Sequence, residues 1–129
     1  MDLQEWSMIF LKQKDMIKRE IQSMDAQEGK ILIHCKNGKE KIALVKEQLD
    51  RKDIDAQADT IICLNTKENV HELHKHWETF AAQESLLIVF ANPKTNEKWL
   101  LRPHLHHKVA DGQSLKSGLM SMYEAITKV

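Results

Sequence analysis

The run Ser85-Leu86-Leu87-Ile88-Val89-Phe90 constrains the fold more than any other stretch of this chain. It is apolar without alternation and ends in β-branched and aromatic residues, the pattern of a strand covered on both faces. Such a strand requires packed layers above and below, so helices must flank a sheet on two sides. Asn92-Pro93-Lys94-Thr95-Asn96-Glu97 is turn chemistry. Lys98-Trp99-Leu100-Leu101-Arg102 then reads as a hairpin partner that stops at Pro103, whose nitrogen cannot donate to a ladder.

Two further runs, Lys30-Ile31-Leu32-Ile33-His34-Cys35 and Thr60-Ile61-Ile62-Cys63-Leu64, have strand character, and the segments between the strands have helical spacing. Asp2 with Glu5 has capping-box spacing and opens a first helix over residues 2–26, with Trp6, Phe10, Ile17, Ile21 and Met24 near one stripe and Gly29 as a stop. Ile42, Val45 and Leu49 mark a second helix. Asn65 with Glu68 opens a third, whose Val70, Leu73, Trp77 and Phe80 form the cleanest stripe in the chain. A last helix from about Gln113 carries Leu115, Leu119, Met122 and Ile126.

The order helix-strand-helix-strand-helix-strand-strand-helix predicts an α/β fold. We expect a three-layer sandwich of about four strands, mostly parallel, in order 2-1-3-4, with one antiparallel edge strand. The 129 residues suit a single domain, residues 1–129, with a real core. Lys plus Arg equals Asp plus Glu at 19 each, which argues against a general nucleic-acid or membrane-surface partner. No signal peptide and no apolar run of about eighteen residues is present, and the two cysteines suit reduced thiols. The expectation is a soluble cytoplasmic protein. The first half of the first helix is apolar on nearly every side, so Trp6, Ile9 and Phe10 are expected to dock on a protein partner or a second copy.

In a doubly wound sheet, ligands bind outside the carboxyl ends of the parallel strands. That rule selects Lys36, Asn37, Gly38 and Lys39 after the first strand, Asn65 after the second and Asn92 after the third as ligand-binding residues. The first of these loops carries a thiol, Cys35, beside a glycine and an expected helix start, where backbone N–H groups favour anions.

His34-Cys35-Lys36-Asn37-Gly38-Lys39-Glu40-Lys41 resembles the signature loop of the cysteine-dependent protein phosphatases, His-Cys-x-x-Gly-x-x-Arg, with Lys41 in place of the arginine. The resemblance implies Cys35 as a nucleophilic thiolate, the amides of residues 36–41 as a phosphate cradle, Lys41 as the catalytic cation and Asp111 as the candidate general acid. Lysine offers a point charge where that family uses a planar fork.

Histidine clusters in two places. His71, His74 and Glu78 lie along one side of the expected third helix, and His104 and His106 share a face of an extended segment. Either group offers partial zinc ligation, but no cysteine lies near to complete a set, so the first reading is solvated surface histidine, without metal or cofactor, and the second a zinc site. Lys98, Arg102, His106, His107 and Lys108 form a basic stretch whose one aromatic neighbour, Trp99, is thin support for nucleic-acid binding. The sequence thus points to a small binding or regulatory interaction module with an anion-binding loop, and secondarily to a cysteine-loop enzyme acting on phosphate esters.

Overall fold

The computed structural model describes residues 1–109 and 112–129; Asp111 lies outside them. Helix α1 (Leu3–Lys14) is capped by the Asp2 carboxylate, which accepts from the Glu5 amide. It ends twelve residues before the expected boundary at residue 26. Asp15 folds the chain back, its two carboxylate oxygens accepting from the Glu20 and Ile21 amides at 2.8 and 3.0 Å. Ile21 and Met24 therefore belong to a strand, β1 (Ile21–Gln27), and Ile17 is 95% exposed in the turn between.

β1 turns at Gly29 (φ +74°) into β2 (Lys30–Cys35), which turns again at Gly38 (φ +86°) into β3 (Glu40–Val45). The helix expected from Ile42, Val45 and Leu49 is thus a strand followed by a loop. Residues 40–45 bury to both sides: Ile42 and Leu44 pack on one face, Ala43 and Val45 on the other. A short apolar segment fits either period, and the ladder to β2, with Ile31 opposite Ala43 and Ile33 opposite Lys41, decides it.

A 3-10 helix (Arg51–Ala56) leads to β4 (Thr60–Leu64), then α2 (Lys67–Lys75), α3 (Trp77–Ala81), β5 (Leu87–Asn92), β6 (Glu97–Leu101), α4 (Pro103–Val109) and α5 (Gly112–Ala125). Pro103 begins α4, where a missing N–H costs nothing.

Among the described residues the sheet has six strands in sequence order, β1-β2-β3-β4-β5-β6. Only β3–β4 and β4–β5 pair in parallel; β1–β2, β2–β3 and β5–β6 are antiparallel. The expected four-strand, mostly parallel sheet in order 2-1-3-4 is corrected on both counts. A two-hairpin meander stands where long crossovers were anticipated, because Gly29 and Gly38 each supply the positive φ of a tight turn.

Both faces are covered. α1 lies on Ile31, Ile33, Cys35, Ala43, Val45, Ile62 and Val89. α2, α3 and α5 contribute Val70, Leu73, Trp77, Phe80, Leu115, Leu119 and Tyr123 to the other face, over Leu44, Ile61, Cys63, Ile88 and Phe90. Every residue of β5 is buried, as its sequence requires. Burying a side chain of this size stabilises by about 1.5–3 kcal/mol, so the central strands carry much of the stability.

The faces of α1 and α5 differ from expectation. Trp6 and Phe10 stack with centroids 5.2 Å apart and belong to the chain's own core, because α1 is the cover for one whole face of the sheet. They are not the partner surface expected of them; of that trio Ile9 alone is outside, at 43% exposure. On α5, Tyr123 continues the buried stripe and Met122 is exposed. No helix among the described residues is long and apolar enough to cross a membrane.

Candidate functional site

Strand polarity gives the sheet two unlike rims. The carboxyl ends of β3, β4 and β5 share one with the turn into β6. The opposite rim holds the starts of β3, β4 and β5 together with the ends of β2 and β6, so Cys35 sits across the sheet from Asn65 and Asn92. The expected single rim of ligand residues is therefore divided, because β2 runs antiparallel to β3.

At the carboxyl rim the chain binds itself. Asn65 is fully buried; its Nδ2 donates to the Tyr123 and Thr127 carbonyls at 3.1 and 3.4 Å, and its Oδ1 accepts from Trp99 Nε1 at 2.8 Å. Asn92 Nδ2 donates to the carbonyls of Thr127 and Lys128, while its Oδ1 accepts from the Lys94 and Thr95 amides. Asn69, on α2, donates to the Glu47 and Leu64 carbonyls and accepts from the Leu49 amide. Hydrogen bonds to Thr127 and Thr95 hold the Glu97 carboxyl below its usual value. Residues 127–129 lie where a ligand of a doubly wound sheet would lie, and both asparagines are spent on them.

The loop after Cys35 is the turn of a hairpin and opens no helix. Three of its amides are committed, Lys36 N–H to Glu20 O, Gly38 N–H to Cys35 O and Lys39 N–H to Asn37 Oδ1, and the Cys35 N–H before it donates to Lys39 O. A cradle needs several convergent free amides, and the turn geometry takes these three. Lys36, Asn37, Gly38 and Lys39 are all exposed and do not line a cavity with Cys35.

Cys35 and Lys41 do line one together, at the amino rim. This cleft of about 310 Å³ lies between the end of α1, the turn into β1 and the strand starts. Its apolar floor includes Leu11, Ile33, Cys35 and Leu87. Four cations line it: Lys14 and Lys18 from the α1–β1 segment, Lys41 from β3 and Arg102 after β6. Of the three acids present, Asp15 has both oxygens on backbone amides, and Asp59 Oδ2 accepts from the Ile42 amide at 3.0 Å. Burial, then the charges of Arg102, Lys18 and Lys41, hold the Lys14 amine below its ordinary value, with Glu20 pulling the other way. The positive groups thus act on one another across the cleft.

The sequence reached Lys41, and Arg102 only within a basic stretch, but not Lys14 and Lys18, which are close to each other and far from both in the chain. Their one shared signal is position at strand or helix ends, legible only once strand polarity is known.

The histidines stay apart from this cleft. α2 and α3 break at His76, so Glu78 is not on the helix of His71 and His74. His104 and His106 are on helix α4, where a spacing of two points side chains to opposite sides. His104 Nδ1 meets the Ala81 carbonyl at 2.9 Å, His106 lies edge-on to Trp77, and His107 Nδ1 accepts from Trp77 Nε1 at 2.9 Å. Among the described residues no three His, Cys, Asp or Glu side chains group to hold a metal ion.

In comparisons with known proteins, the chain matches no family model, no curated protein and no solved structure.

Proposed function

We propose that this chain is a binding module that seats a small anionic ligand, bearing a phosphate or carboxylate group, in the amino-rim cleft. One observation carries the reading: Lys14, Lys18, Lys41 and Arg102 converge on a single cavity in which the Asp15 carboxylate is already taken by the backbone. Convergent cations whose like charges disfavour one another gain when an anion enters. The apolar floor suits a compact ligand body, and the two free thiols suit a reducing compartment such as the cytoplasm.

The test is a titration with inorganic phosphate followed by amide and methyl chemical shifts. Saturable shifts are expected at Leu11, Ile33 and Leu87, with affinity at least about tenfold weaker in Lys41→Glu. No saturable shifts at the cleft, or equal affinity in Lys41→Glu, overturns the proposal.

A second reading, cysteine-dependent chemistry on phosphate esters, is favoured by Cys35 and Lys41 lining the same cleft. It requires turnover of a generic aryl phosphate that disappears in Cys35→Ser and persists in Lys36→Ala. Absence of turnover retires it.

A further inference from the structure

The segment that joins α1 to β1 carries an apolar tip beside the cation-lined cleft. Met16 and Ile17 are 68% and 95% exposed, and among the described residues they are the only adjacent pair of large hydrophobic side chains that both stand in solvent. The residues that bracket them, Lys14, Asp15 and Lys18, line the cleft. The tip is held in place: Arg19, at φ +50°, donates its N–H to Asp15 O at 2.7 Å, and the Asp15 carboxylate takes the Glu20 and Ile21 amides. One exposed apolar side chain is ordinary, but a fixed and protruding pair ringed by cations is not.

Lys14, Lys18 and Arg19 flank the tip and are exposed, and Lys36, whose N–H donates to Glu20 O, brings the β2–β3 turn alongside. Two of the three acids of the cleft, Asp15 and Asp59, accept from backbone amides. We infer, building on the anion-binding reading of this cleft, that its ligand is the phosphate headgroup of an anionic lipid in a bilayer, with Met16 and Ile17 inserted at the acyl boundary. The order of chemistry along this surface, apolar at the tip and cationic behind it, matches a leaflet whose apolar layer lies beneath a layer of phosphates. A soluble phosphate uses the cations and leaves the tip without a role. A protein partner needs a pocket shaped to a convex tip, whereas acyl chains deform around it. Zero net charge does not oppose the contact, because groups beyond a Debye length of about 8–10 Å are screened and the local cations set the attraction.

The experiment uses the full chain, phosphatidylcholine vesicles with and without phosphatidic acid, and co-sedimentation at constant ionic strength. Binding is expected only where phosphatidic acid is present. Met16→Gln combined with Ile17→Gln alters solvent-exposed positions that do not line the cleft. That variant is expected to lose at least about tenfold in vesicle affinity while inorganic phosphate still shifts Leu11, Ile33 and Leu87. Lys41→Glu is expected to weaken both interactions. If phosphate titrates the cleft but vesicles with phosphatidic acid bind no better than those without, the lipid inference is overturned and the anion-binding reading stands. Vesicle binding that is unchanged in the Met16, Ile17 variant, or unchanged in Lys41→Glu, also overturns the inference. If phosphate does not titrate the cleft at all, the reading beneath it fails as well.

Discussion

The two rims of the sheet are built from similar material and treated in opposite ways. The carboxyl rim, where a doubly wound sheet keeps its ligand, is closed by residues 127–129 through Asn65 and Asn92, with every buried polar side-chain atom among the described residues partnered. The amino rim, ordinarily the structural end, is left with a cleft and four cations. Where a mixed sheet has room for a ligand is therefore set by which rim the chain leaves unfilled, and strand polarity alone does not name it.

The largest expected difference between the rims is in stability. Asn65→Ala removes the acceptor for the buried Trp99 indole N–H and the donor for two carbonyls, an expected loss of about 3 kcal/mol of unfolding free energy, read from denaturant titration. Lys41→Glu, at the open rim, should change stability by no more than about 0.5 kcal/mol. Comparable losses from both would dissolve the contrast.

Thiol reactivity sharpens it next. Cys63, near the carboxyl rim, is fully buried, and burial pushes its thiol well up; Cys35 lines the amino-rim cleft at 6% exposure. Native-state alkylation near neutral pH should modify Cys35 at least about tenfold faster than Cys63, and inorganic phosphate should slow the faster reaction. Equal rates would mean that both thiols react only through global unfolding.

The smallest effect concerns Lys14. Its lowered pKa means the unfolded chain holds that proton to higher pH, so charging Lys14 opposes folding. The penalty is fully present below the folded-state value and fades as pH rises through it toward the ordinary 10.5. Solvent screening limits it to a few tenths of a kcal/mol. Lys14→Met should gain about that much at neutral pH and should remove the corresponding alkaline increment, measured by denaturant midpoints across pH.

Several strands and one cap were legible from residues alone; the cap expected at Asn65 is supplied by Thr66 instead. The unbroken run at 85–90 demanded cover on both faces and has it, and Asp2 caps α1 as its spacing implied. The stripe Val70, Leu73, Trp77 and Phe80 is buried even though its helix breaks at His76. Residues 15–27 were illegible because their few apolar positions fit a helical stripe, and 40–45 because a short apolar segment satisfies both periods; the local turn at Asp15 and the ladders to β2 settle them. Of the candidate site, Cys35 and Lys41 were visible as neighbours six positions apart; Lys14, Lys18 and Arg102 were not.

Sequence by itself determined which segments must be buried and where the chain must turn, because both follow from local chemistry: side-chain hydrophobicity, proline's missing N–H, and glycine's access to positive φ. Only the tertiary structure decided which strands run together, which rim closes and which charges meet. Those outcomes depend on pairing between segments far apart in the chain, where one reversal of strand direction moves a whole set of residues to the opposite end of the sheet.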